Sequence, residues 1–493
     1  MRADLRLGKC LLAGWIAAAA GCGGKEDQAD AGPLPSNGRP VVMISIDSLR
    51  ADHCSAYGYR PKFAPEEKTT PFLEKVAAEG VRFAAASAPT SWTLPSHMSL
   101  LTGMDCYEHG VRNRMVRLDE GSEHIAGRLR RAGYQTAGFF SAPFLHPAWG
   151  FGHGFDHYEG AAPYLQGLGA VEAIADTAQG ALRPLHDASH EDKLCSERVV
   201  DAALRWLEEG RRYERPFFVF LHLWDPHYDY EPPDAYAQRF HPGYAGAVDG
   251  RDFINPKRRY QGEDLDRVIA LYDAEIRYTD DQIARFWARL EEWGVADRVI
   301  LSVSSDHGDE FYEHGQKGHQ KTLYEEVLHI PLLVRAPGLA PPGTVAAGSA
   351  GLYDLAPTLL ELAGVPAWPE RGGRSLRPLW ERPADPGRAV LLDLEMNEGF
   401  RQRGWRNGPE KVLWNAVSAS GEVYDLAADP AEQAPLRLQS LAQNEVGRRA
   451  WAAIQAAARH AGHTRSMEEP EAMTHLLSEL GYTEDTSTTE SPH

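Results

Sequence analysis

The sequence predicts an α/β protein: a large mixed, mainly parallel sheet sandwiched by helices, followed by a smaller C-terminal α+β subdomain. Three observations predict it. The runs VVMISI (Val41 to Ile46), PFFVFLHL (Pro216 to Leu223) and VILSVSS (Val299 to Ser305) are mostly apolar, as fits strands buried on both faces of a sheet. Helical patterns separate these runs, so strand and helix alternate along the chain. Beyond about Ala384 the pattern changes to short strands, Val390 to Leu394, Lys411 to Val417 and Glu422 to Leu426, spaced as in a small antiparallel sheet. With 493 residues, 43% hydrophobic and 25% charged, the chain can bury a sizeable core. Its net charge of −19 argues against nucleic acid as partner, and an anionic substrate must be drawn by local groups, for which a metal ion would serve.

Arg2, Arg6 and Lys9 precede the apolar run Leu11 to Ala20, which is too short to span a bilayer and reads as a secretory signal over residues 1–21. The ending AAGC, Ala19 to Cys22, resembles a bacterial lipobox, which implies cleavage before Cys22, its lipidation, and export to the cell envelope with the lipid as the only membrane contact. Residues 22–40 then read as a tether. Cys54, Cys106 and Cys195 allow at most one internal disulfide.

The elements follow in order. Asp47 sits at the end of the first strand, where α/β sheets gather functional groups. Thr70 and Pro71 open a packing helix that Gly80 stops. In SWTLPSHMSLLTG (Ser91 to Gly103) a hydroxyl, Thr93, stands where a helix begins, so the helix amides favour an anion beside it; the plain alternative is a capping threonine. His124 to Phe140 reads as helix, glycine stop and strand. In Ser141 to Tyr158 the histidines His146, His153 and His157 could serve as anion contacts or simply be exposed in a glycine-rich loop, and residues 161–188 suggest a variable insertion or lid. After Val199 to Gly210, a helix, the strand from Pro216 delivers His222, Asp225 and His227. Leu265 to Trp293 is a long amphipathic helix with Asp280 and Asp281 outward. The strand from Val299 delivers Asp306 and His307, which with Asp47 and the Thr93 oxygen make a four-ligand set for a divalent ion, Ca, Mg, Mn or Zn. Ile330 to Arg335 and Asp354 to Gly364 complete the catalytic region, 41–383; a sheet subdomain spans 384–435, and Trp451 to Tyr482 adds helices before a polar tail within 436–493.

The stretch Thr93, Leu94, Pro95, Ser96, His97 with the tail Leu100 to Gly103 resembles the signature of the sulfatases, within the alkaline phosphatase superfamily. So do DSLRADH (Asp47 to His53), DPH (Asp225 to His227), SDHG with LYEE through Glu326, and EVYDLAADPAEQ (Glu422 to Gln433). The family's nucleophile is a Cys or Ser converted to formylglycine, with an Arg supporting it; here those positions hold Thr93 and His97, and Ser48 replaces a second Asp. The resemblance implies a metal-dependent hydrolase of a sulfate ester or phosphoester/phosphonate, with a small, glycan or lipid anionic ester as substrate. Thr93 is then the nucleophile, as in threonine-bearing relatives that act on phosphorus. His227 and His319 hold the transferring group or protonate the leaving oxygen, His97 assists, and Arg50 contacts the anion. A second ion through Asp225, His227 and His319 is possible on this reading. Two alternatives stay open: a transferase passing the phospho-group to an alcohol, and an inactive anion-binding lipoprotein.

Overall fold

The computed structural model describes residues 36–162, 165, 194–210, 214–251, 253–382, 384–397, 400–459 and 462–466. The signal, Cys22, nearly all of the 161–188 stretch and the polar tail lie outside them. No helix among the described residues is long and apolar enough to cross a membrane.

Strands β1 (Val41–Ile46), β2 (Val81–Ser87), β3 (Gln135–Phe140), β4 (His157–Gly160), β5 (Phe217–Leu223), β6 (Ile300–Ser305), β7 (Leu332–Arg335) and β8 (Thr344–Gly351) form one sheet, in the order β8-β2-β7-β6-β1-β5-β3-β4. Strand β7 is antiparallel to both neighbours and every other pairing is parallel, so the sheet is mixed and mainly parallel, as expected. The long apolar stretches have a direct cause. Val41 and Met43 enter the core on one face, Val42, Ile44 and Ile46 the core on the other, and β5 divides its residues in the same way. Each such side chain contributes about 1.5–3 kcal/mol by leaving water, so a polar residue on either face would be costly.

Helices α1 (Pro71–Glu79), α3 (Ser196–Arg205) and α4 (Glu263–Glu292) cover one face, and α2 (Thr93–Thr102) and α5 (Leu355–Leu362) the other. One expectation fails on α4. Asp280 is buried, not outward, and accepts the backbone N–H groups of Phe72 (2.7 Å) and Leu73 (3.1 Å). It caps α1 from outside, because Thr70, at the N-cap, makes no side-chain cap bond. Burial pushes the Asp280 carboxyl up to about 8.

Strands β9 (Val390–Asn397), β10 (Phe400–Asn407), β11 (Glu410–Asn415), β12 (Ser420–Asp425) and β13 (Leu436–Leu438) form the expected antiparallel sheet in sequence order. Helix α6 (Glu445–Ala457) closes a separate small core with Trp405, Val412, Leu438 and Ile454. Of the helices expected from Trp451 to Tyr482, α6 covers the start, Thr464–Ser466 is instead a strand pairing with Val116–Leu118, and residues 467–482 lie outside the described residues. The tether also ends earlier than expected. Asn37 donates its side-chain amide to Leu362 C=O (2.7 Å), and Pro40 C=O accepts Ile300 N–H (2.8 Å), so residues 36–40 belong to the folded body. Cys54, Cys106 and Cys195 are buried, and no disulfide joins them to one another.

Candidate active site

The site lies where the carboxyl ends of β1, β5 and β6 meet the amino end of α2. Asp47 follows β1 directly, Asp306 and His307 follow β6, and the Ser96 hydroxyl fastens α2 to this edge by donating to Asp306 C=O (2.7 Å). Thr93 is the first residue of α2. The N-cap is Trp92 and no side chain caps the helix, so the capping alternative for Thr93 is not realised. Its hydroxyl instead lies 3.4 Å from His307 Nε2, which is 3.3 Å from Asp306 Oδ2 and 3.7 Å from Asp47 Oδ1. Ligand atoms of Asp47, Asp306 and His307 all fall within 4.8 Å of one another. The expected ligand set is thus brought together, fully buried.

The tautomers follow from the acceptors. His307 Nδ1 faces Gly308 C=O at 3.1 Å, and a carbonyl only accepts; Nδ1 therefore carries the proton and Nε2 presents its lone pair to the cluster. Burial drives the imidazoles of His97 and His222 down to about 3 and that of His307 well below its ordinary value, so all three are neutral. The carboxyls move the other way: burial raises Asp47 to about 6, and burial with the nearby Asp47 charge raises Asp306 strongly. Asp306 Oδ2, deeply buried, accepts no hydrogen bond. Two buried carboxylates, one of them with an oxygen that no donor reaches, and a neutral imidazole lone pair lack one thing, positive charge, and that oxygen-rich donor set fits a divalent ion. Ser48, which stands where many sulfatases have a second Asp, positions the ligands. In left-handed backbone (φ 56°), it donates N–H to Asp306 Oδ1 (3.2 Å) and its hydroxyl to Asp47 Oδ1 (3.1 Å).

The other expected residues divide. His319 and His227 come together, ring centroids 4.9 Å apart, and His319 lies 4.3 Å from His307 with the rings tilted by 42°. His227 Nδ1–H donates to Tyr228 C=O (2.5 Å) and His319 Nδ1–H to Asp309 Oδ1 (2.7 Å), so each ring turns Nε2 the other way. His97 is a positioning residue and carries no proton to substrate: Nδ1 donates to Thr93 C=O and Nε2 accepts from the Ser45 hydroxyl, each at 2.9 Å. Arg50 corrects the expectation of an anion contact. All three guanidinium nitrogens are engaged, by Asp52, Glu313 and Asp309 C=O. Asp225 likewise leaves the expected second-ion trio, because it accepts the N–H groups of Cys195 (2.7 Å) and Ser196 (2.6 Å) at the start of α3. Asp309 takes its place beside His307 and His319. None of the three loop histidines answers the expectation: His146 accepts Ala148 N–H, His153 packs on His124, and His157 pairs with Glu159.

Sequence reasoning assigned no role to four residues that complete the site. His222 Nε2 lies 3.2 Å from Asp47 Oδ2, Ser45 fixes His97, Asp309 orients His319, and Tyr230 donates its hydroxyl to Asp309 Oδ2 (2.7 Å). Ser45 and His222 are polar residues inside otherwise apolar strands, paired across the sheet, and that interruption was the available signal.

Comparison with known proteins gives the family. Residues 39–365 match the family described as Sulfatase, and residues 313–455 match N-sulphoglucosamine sulphohydrolase, C-terminal. An arylsulfatase of Clostridium perfringens is 26% identical, covering 80% of this chain and 89% of that protein. An N-acetylglucosamine-6-O-sulfatase of Bacteroides thetaiotaomicron is 24% identical, covering 80% and 81%. The solved structure of a phosphonate monoester hydrolase of Agrobacterium radiobacter superposes with a TM-score of 0.65 at 21% identity, covering 85% of this chain and 93% of that one. With residues 39–365, about two thirds of its length, matched by that family, the chain belongs to the sulfatase family of ester hydrolases.

Proposed function

We propose that the protein is a metal-dependent hydrolase in which unmodified Thr93 attacks a phosphorus ester. The observation that carries this reading is the Thr93 hydroxyl set 3.4 Å from His307 Nε2 at the edge of the Asp47–Asp306–His307 cluster. A divalent ion held by these residues supplies Lewis acidity, of the kind that lowers the pKa of zinc-bound water from about 15.7 to about 7. Thr93 Oγ1 loses its proton and bonds to phosphorus while the leaving oxygen departs, and the amino end of α2 favours the anionic group as it transfers. The proton that Thr93 gives up ends on the leaving oxygen: His319, held by Asp309 through Nδ1–H, takes a proton on Nε2 and hands it on, while neutral His227, whose Nδ1–H is engaged by Tyr228 C=O, lines the site beside it. Water then cleaves the phosphothreonine, returning the hydroxyl and releasing the acid.

Phosphorus is preferred to sulfur on chemical grounds. Formylglycine hydrate expels sulfate by collapsing to an aldehyde, an exit that a sulfated threonine lacks, and His97 occupies the place of the Arg that supports the hydrate. A phosphothreonine is open to attack by water. The fold is shared with a phosphonate monoester hydrolase. Sulfate esters, glycan esters included, form a second reading, which the arylsulfatase and the N-acetylglucosamine-6-O-sulfatase among the relatives favour. Export and anchoring through lipidated Cys22 belong to the same proposal, resting on the AAGC ending of the apolar run.

Paired assays on a phosphate diester, a phosphonate monoester and an aryl sulfate, with Thr93→Ala and Thr93→Ser and an intact mass of the Thr93 peptide, test it. Phosphorus turnover lost in Thr93→Ala and an unmodified peptide are expected. Sulfate-only turnover overturns the substrate class, and full activity in Thr93→Ala overturns the nucleophile.

A further inference from the structure

Two sequence motifs take no part in this chemistry: LYEE, ending at Glu326, and EVYDLAADPAEQ, ending at Gln433. The structure joins them. Lys411 of β11, with no exposed surface, lies 3.0 Å from Glu325 Oε1 and 2.8 Å from Glu432 Oε1. Arg406 of β10 adds a contact of 3.4 Å to Glu325 Oε2, so two cations face two carboxylates. Removing one member of such a set leaves an uncompensated buried charge. Glu432 reaches this point from left-handed backbone (φ 53°), a conformation that a non-glycine residue adopts at a cost. Its Oε2 accepts Glu325 N–H (2.6 Å), its carbonyl lies 3.2 Å from His314 Nε2, and His314 Nδ1 lies 2.5 Å from Glu326 Oε1.

The other side of the same short segment touches the catalytic cluster. Gly308 donates N–H to Val327 C=O (3.0 Å), and a Cβ placed on Gly308 would stand 2.3 Å from Glu326 O. The backbone between His307 and Asp309 is therefore pressed against residues that Glu432 and Lys411 hold. Gly308 C=O also accepts the His307 Nδ1–H that sets the direction of Nε2, and Asp309 orients His319.

We infer that Lys411 and Glu432, both of the C-terminal subdomain, are positioning residues for the hydrolysis, acting through Glu325–Val327 on Gly308 and so on the aim of His307 and His319. The inference rests on the catalytic reading above. The route is one layer of backbone thick at each step, so a change in the ion cluster reaches the imidazoles with little attenuation.

The full chain carrying Lys411→Met, Glu432→Gln or Lys411→Arg tests it, read by kcat and KM on whichever ester the wild type turns over, by melting temperature, and by amide hydrogen exchange at 306–310. We expect kcat to fall about 10–100-fold with KM nearly unchanged, as for other outer-layer supports of a metal site. Faster exchange at Gly308 and partial recovery in Lys411→Arg should accompany it. Folded variants with wild-type kcat and exchange overturn the inference and leave the cluster as a staple between domains. If a variant fails to fold, exchange in the wild-type protein decides: amides of 307–309 opening together with 325–327 support the inference, and independent opening overturns it. Thr93→Ala separates the two readings, because activity in that variant rejects the nucleophile yet leaves the ratio of each cluster variant to wild type readable.

Discussion

Asp309 accepts the Nδ1–H of His319 through one carboxylate oxygen and the Tyr230 hydroxyl through the other, each at 2.7 Å. A carboxylate fixed on both sides fixes the imidazole in turn, both its tilt and its tautomer. Asp309→Asn keeps the shape but allows the opposite tautomer, so kcat should fall about 10–100-fold. The loss should be larger for an alkyl leaving group than for a nitrophenol, which departs without a proton. Equal losses on both would remove His319 from leaving-group protonation.

The metal cluster carries its own test. Asp306→Asn or His307→Ala should abolish bound ion as measured by elemental analysis, and with it activity. In the wild type, saturating divalent ion should raise the melting temperature, since binding to the native state alone adds about 2.7 kcal/mol at a hundredfold excess over Kd. A chelator should reverse this. Full occupancy in both variants would refute the ligand set.

How much of this was legible follows from what each residue does. Asp47, Thr93, Asp306 and His307 stand at the ends of strands or the start of a helix, where local pattern and chemistry coincide, and the sheet order and register then bring them together. Asp225 and Arg50 have the right chemistry in the right segments, yet nothing local says that a helix start would claim one and two carboxylates the other. Asp280 deceived for the same reason, since its partner helix lies some two hundred positions away. Strand β10, FRQRGWRN, escaped notice because half of it is polar and only Gly404, Trp405 and Arg406 are buried.

Stability should depend on pH at the domain junction. Burial alone would lower the His314 pKa, but its bond to Glu326 and that carboxylate's charge prevail and hold it at about 9. A folded pKa above the unfolded value means that the stabilisation is complete below about pH 6.5 and is lost as pH rises through about 9. The melting temperature should therefore decline across that window, and His314→Gln should flatten the decline. An unchanged slope in the variant would assign the effect elsewhere.

Cys22→Ala should release the protein from the membrane fraction into the soluble one, with the ester hydrolase activity intact per molecule. A variant that remains membrane-bound after signal cleavage would identify a different anchor.

The attachment of residues 36–40 also sets where the chain enters the fold relative to the chemistry. Pro40 meets the sheet at the starts of β1 and β6, whereas Asp47 and His307 lie past their ends, and six strand residues at about 3.3 Å each put some ~20 Å of protein between leash and chemistry. The chain thus enters the folded body at the edge of the sheet opposite the one that carries the chemistry.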